Sequence, residues 1–131
     1  MFEDADLIHR YTRAQALEDG VLVDVTETAR QAGFRVPVAL TQTAWADCVY
    51  WTQDDSARVV YQDESGRLWD VLWMASLAAG AAREGGRTSF KLHRVPRDSK
   101  TGEPMPVTLL LEIDLGDEGE PVITIGFAED F

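Results

Sequence analysis

A chain of 131 residues with 23 carboxylates against 12 Lys and Arg carries a formal charge of -11, which repels nucleic acid and anionic membrane at ordinary salt. The expected partner is therefore a basic protein surface, with no direct contact to nucleic acid or membrane. With 45% hydrophobic and 27% charged residues, the composition is that of a folded domain and not of a disordered chain, and the length suits one acidic domain over residues 1–131.

The single Cys48 excludes an intramolecular disulfide and a cysteine-rich metal knuckle. The first twenty residues lack a basic region followed by an apolar run, and no window approaches the roughly 20 apolar residues of a membrane span. The expected compartment is the cytoplasm.

In chain order, MFEDADLIHRY reads as loose or partly extended. Thr12 and Gln15 in TRAQALEDG form a capping box, in which hydroxyl and amide side chains satisfy each other's backbone N–H, and Gly20 supplies the stop. VLVDV (21–25) is a short β-branched run, after which Thr26 is the expected cap of a helix ending at Gly33. Pro37 forces Val36 extended and removes a donor, so FRVPVAL reads as a connector or an edge strand. Thr41 or Thr43 then opens a helix with Trp45, Cys48, Val49 and Thr52 on one face.

DDSARVVYQDESG is ambiguous and reads as a short strand or turn at 59–61. The strongest helix is SGRLWDVLWMASLAAGAAR, with Ser65 as cap, Arg83 near its negative end and EGG as its stop. Leu68, Leu72, Ala75 and Ala79 form one stripe, Val71, Ala75, Ala78 and Ala82 a second, and Trp69 with Trp73 a third. So wide an apolar surface predicts contact from two sides.

Beyond this helix the apolar period falls to two in TSFKLHRV, VTLLLEID and VITIGF, joined by Gly- and Pro-punctuated linkers. The predicted fold is α+β: short N-terminal helices and one long Ala-rich helix packed on a three-stranded antiparallel β-meander.

Chemistry-bearing motifs are few. An EF-hand counted from Asp114 puts Gly116 at position 3 and Ile125 at position 12, and the chain continues as a strand where a helix is required. No metal or cofactor is expected. The two histidines, His9 and His93, accompany no catalytic signature, so no catalytic residue is assigned and a non-enzymatic protein is expected. Trp45, Trp51, Trp69 and Trp73 could form a stacking platform, but their acidic neighbours favour core packing of the helical half.

Charge patterning is the main signal. Residues 83–100 hold six Lys and Arg, and residues 112–130 hold Glu112, Asp114, Asp117, Glu118, Glu120, Glu129 and Asp130 with no base. Cross-strand pairing absorbs part of this, but outside these segments fourteen acids face six bases. The candidate partner-binding residues are those seven acids, with Asp54, Asp55, Asp63 and Glu64 as a second patch.

The stretches YTRAQALEDGVLVDVTETARQAGFRVPVALTQTAWADCV, QDESGRLWDVLWM and EPVITIGF resemble an uncharacterised family of small acidic bacterial proteins often encoded on plasmids and other mobile elements. The resemblance brings no catalytic residues. It implies a setting in which small acidic proteins are frequently anti-restriction or anti-CRISPR inhibitors, some acting by DNA mimicry. The alternative expectation is an accessory protein that binds a peptide or small ligand through an apolar groove near the tryptophans. The oligomeric state is left open.

Overall fold

Local capping chemistry sets most helix starts in the structure, a computed structural model that describes residues 11–81 and 86–131. His9, Ala82, Arg83 and the first two residues of the EGG stop lie outside the described residues. Helix α1, Arg13–Glu18, begins at the expected reciprocal box of Thr12 and Gln15, and Gly20 leaves it at φ 78°, a conformation glycine adopts without steric cost.

Helix α2, Thr26–Gln31, contains Thr26 as its first residue, not as its cap. The Thr26 hydroxyl instead donates to Asp24 and accepts from the Val38 amide. Thr41 opens α3, Gln42–Cys48, by accepting from the Ala44 amide. Helix α4, Gln53–Arg58, starts at a Thr52–Asp55 capping box where the sequence suggested a strand or turn just beyond it. The cap of α5, Glu64–Ala81, is Asp63, which accepts from the Gly66 amide at 2.7 Å, and not Ser65.

The three-stranded meander is corrected to a five-stranded mixed sheet. Its strands are β1 (Leu22–Asp24), β2 (Val38–Thr41), β3 (Arg87–Arg94), β4 (Met105–Leu115) and β5 (Pro121–Gly126), in the order β1-β2-β5-β4-β3. All neighbours are antiparallel except β2 and β5, which run parallel with Val38 opposite Ile123.

The connector or edge strand expected at Pro37 is thus an interior strand. Pro37 sits one residue outside β2 and its carbonyl accepts from the Ile123 amide at 2.9 Å, so the missing N–H removes nothing from the ladder. All four residues of β2 are buried, and a strand covered on both faces shows no period of two.

The long helix is also corrected. Its 18 residues carry alanine only from Ala75 onward, and packing comes chiefly from Leu68, Val71 and Leu72. It touches β3 and β4 of the sheet and the neighbouring helices α2 and α3, but the expected third stripe is not buried, since Trp69, Trp73 and Leu77 are 37%, 48% and 56% exposed.

The core lies between one sheet face and helices α2, α3 and α5. Val38, Leu40, Phe90, Leu92, Leu109, Leu111, Ile123 and Ile125 meet Ala29, Ala44, Cys48, Leu68, Val71, Leu72 and Ala75. Each fully buried Leu or Ile contributes roughly 1.5–3 kcal/mol. On the opposite face α1 lies beside β1, and Arg13 donates to the Thr124 hydroxyl at 2.7 Å and the Ile123 carbonyl at 2.8 Å. Trp51 is buried and Trp45 half-buried, so core packing accounts for two of the four tryptophans.

Candidate functional site

Alternation along β4 sends Glu112 and Asp114 to the face opposite the main core, two residues and about 7 Å apart by strand rise. Glu112 lies opposite Arg87 and accepts from its Nε at 3.0 Å and from its Nη2. This is the cross-strand pairing the charge pattern suggested, and an exposed pair of this kind contributes only a few tenths of a kcal/mol. Arg94 turns instead to Asp47 of α3, with its Nη2 3.1 Å from a carboxylate oxygen.

The other acids of this group divide into structural and outward-facing. Asp117, in the β4–β5 turn, accepts from the Arg13 amide at 2.8 Å and the Ala14 amide at 3.0 Å, so it caps α1 from the far end of the chain. Asp130, in the short 3-10 turn 128–130, accepts from the Thr41 hydroxyl, the Thr43 hydroxyl and the Phe127 amide, each at 2.7 Å. Burial alone would raise the Asp130 pKa, but these hydrogen bonds hold it below the usual carboxylate range. Gly126 permits this meeting, since a Cβ there would lie 2.5 Å from Thr41 Cγ2.

Asp114, Glu118, Glu120 and Glu129 are exposed, and among the described residues no Lys or Arg forms an ion pair with them. Glu120 folds back to accept from the Glu118 amide at 3.0 Å, which orders the turn. Beside it, Tyr11, Arg13, Leu22, Glu112, Asp114 and Asp117 help line a hollow of about 590 Å³. Burial lowers the Arg13 pKa against the opposing pull of Asp117, Asp24, Glu120 and Asp114.

The second acidic group lies at the other end of the sheet, beside the loop that joins β3 to β4. The 11 residues of β4 put roughly 34 Å between this group and the β4–β5 turn, with Glu112 and Asp114 part-way along, so the eleven candidate carboxylates do not form one surface. Asp55 is fully buried. It accepts from Arg97 Nε at 2.7 Å, Arg58 Nη2 at 2.5 Å and the Thr52 amide at 2.9 Å. The Arg97 hydrogen bond, outweighing desolvation and aided by Thr52, holds its carboxyl far below the ordinary range. Asp63 caps α5, Glu64 accepts from the Trp51 amide at 3.3 Å, and Asp54 makes an exposed 3.5 Å pair with Arg58.

Arg67 is the residue here that sequence reasoning missed. It is 4% exposed and forms no ion pair among the described residues. Its donors reach the carbonyls of Asp47, Val49 and Val95 and the Gln62 side chain, and its guanidinium lies 4.4 Å from the Trp51 ring centre. The signal was its place four residues before Val71, on the stripe that continues through Ala75 and Ala78.

Among the described residues no three His, Cys, Asp or Glu are placed to hold a metal ion. Burial first, then Asp47, pushes the Cys48 thiol up to about 12, which leaves almost no thiolate at neutral pH. His93 is exposed on β3. No helix among the described residues is long and apolar enough to cross a membrane.

A model of a family of unknown function, DUF6573, matches residues 1–131, and the chain belongs to that family. No curated protein and no solved structure matches it.

Proposed function

We propose that this family member is a non-enzymatic, acidic interaction protein that docks the β4–β5 end of its sheet against a basic protein surface. The observation that carries the reading is the group Asp114, Glu118 and Glu120, exposed on a folded-back hairpin, with Glu129 exposed in the turn beyond the far end of β5 and none of the four making an ion pair among the described residues. The partner is the nucleic-acid channel of a bacterial defence complex, of the anti-CRISPR or anti-restriction kind, blocked by DNA mimicry. The net charge and the resemblance to proteins of mobile elements support that partner class.

Carboxylates at alternate strand positions recur about every 7 Å, whereas one DNA strand places a charge every 3.4 Å or so of axis. Because Glu112 is paired with Arg87, Asp114 alone supplies less than half the linear density of a strand, and the turn acids must supply the rest. The second patch fits less well, because Asp55 and Asp63 are already engaged inside the fold.

The test is a triple reversal, Asp114→Lys, Glu118→Lys and Glu129→Lys, measured as competition with duplex DNA for a purified defence complex across a salt series. The expected outcome is loss of competition and a shallower salt dependence. Unchanged competition with an unchanged slope would refute the reading.

A second reading, an accessory protein that binds a peptide or small ligand, is favoured by one observation. Trp69 and Trp73 stack with ring centres 6.1 Å apart while both remain exposed, and Trp73 borders a cleft of about 210 Å³ with Met74, Leu92 and His93. Ligand-dependent tryptophan fluorescence with little salt sensitivity distinguishes it from the first.

A further inference from the structure

Among the described residues strand β3 ends the sheet, with β4 as its only sheet neighbour. The phase of its ladder follows from one bond: the Ile113 amide donates to the Gly86 carbonyl, so Gly86 and Ile113 are a hydrogen-bonded pair and the pairs alternate from there. Thr88, Phe90, Leu92 and Arg94 then turn their backbone groups to β4, while Arg87, Ser89, Lys91 and His93 turn theirs to the open edge. Pro106 agrees with this phase. It lies opposite His93, a position that asks no N–H of it toward β3.

The open edge is bordered on both sides by unlike chemistry. On the helix side, Asp70, Trp73 and Met74 of α5 line the cleft with Leu92 and His93, so an apolar row there would lie against Trp73 and Met74 and an acidic one would face Asp70. On the other side Arg87 and Lys91 stand exposed; Arg87 is shared with Glu112, and Lys91 makes no ion pair among the described residues.

We propose that this edge receives an extended segment of a partner protein by strand addition, and that the segment alternates acidic and apolar side chains. Its apolar row would continue the sheet face beneath Trp73, and its acidic row would lie beside Lys91, since Arg87 is held by Glu112. Charge selects the occupant. A second copy of the chain would bring the same cationic row against itself, and like charges directly opposite are destabilising. Lysine on an edge also deters neutral and basic strands, which leaves an acidic one favoured. This rests on the peptide-binding reading and not on the acidic hairpin.

The probes are two blocked peptides as long as β3, one alternating glutamate with valine and one alternating lysine with valine, followed by tryptophan fluorescence and amide exchange. The glutamate peptide should bind at least about tenfold more tightly, protect the amides of Arg87, Ser89 and Lys91, and lose affinity when its own alternate amides are methylated. Lys91→Glu should reverse the preference between the peptides while leaving the circular dichroism spectrum unchanged, and Trp73→Ala should weaken both. Equal affinities, indifference to methylation, no binding at millimolar concentration, or dimerisation through β3 each overturn the proposal. None of these variants touches Asp114, Glu118 or Glu129, so this failure and that of the acidic hairpin are separable.

Discussion

Asp55 and Glu118 both come from acidic, turn-rich stretches, yet one is fully buried among two arginines and a threonine amide and the other is exposed without an ion pair among the described residues. The first group holds helix α4 and the β3–β4 loop together; the second faces outward from a hairpin. Carboxylate count therefore says little about role, and the cations within reach decide it. In the first group Arg58 and Arg97 converge on one carboxylate, whereas near the hairpin acids Arg87 is taken by Glu112 and Arg13 donates to Thr124 and Ile123.

The largest expected effect is that of breaking the first group. Asp55→Ala leaves two guanidinium groups and a backbone N–H without their shared acceptor, and Tm should fall on the order of 10 °C in circular dichroism melts. The pH dependence follows the same bond. Because the folded pKa of Asp55 lies below the unfolded value of about 3.9, its stabilisation is complete above that value and is lost as pH falls toward the folded pKa. The Asp55→Asn protein should therefore show a flatter acid limb below about pH 4. An unchanged limb would assign acid sensitivity elsewhere, for instance to Asp130.

Next in size is Arg67→Met, which leaves the carbonyls of Asp47, Val49 and Val95 without their donor and should cost about 3 kcal/mol in urea unfolding. Asp117→Ala crosses the comparison, since that hairpin acid acts structurally. Losing its two bonds to the α1 amides should cost about 1 kcal/mol, with faster amide exchange confined to residues 13–18. The smallest effect belongs to the outward acids. Asp114→Lys, Glu118→Lys and Glu129→Lys should each shift stability by no more than about 0.5 kcal/mol, although together they abolish binding if the proposed docking is correct. A large thermal loss from any of them would erase the contrast drawn here.

Much of the local structure was legible. The Thr12–Gln15 box, the Thr41 cap, the alternation of β3 and β4 and the buried stripe of α5 appear where spacing placed them, whereas β5 is buried on both faces at Val122 and Ile123. The errors share a cause. Pro37 made β2 look marginal although the residue lies just outside the ladder, and the parallel pairing of β2 with β5 joins segments 85 residues apart between Val38 and Ile123, which no local period encodes. Trp69 and Trp73 looked like a third buried stripe because helical spacing identifies faces but not which of them finds a neighbour.

The sequence by itself determined an acidic α+β composition, the starts of α1 and α3 and the alternation of β3 and β4, because capping and side-chain period are properties of residues within one or two turns of each other. Only the tertiary structure decided that the sheet has five strands, that Asp55, Asp117 and Asp130 belong to the fold while Asp114, Glu118 and Glu129 face outward, and that β3 is left as an open edge beside Trp73. Those outcomes depend on which distant cation, amide or strand arrives beside each group.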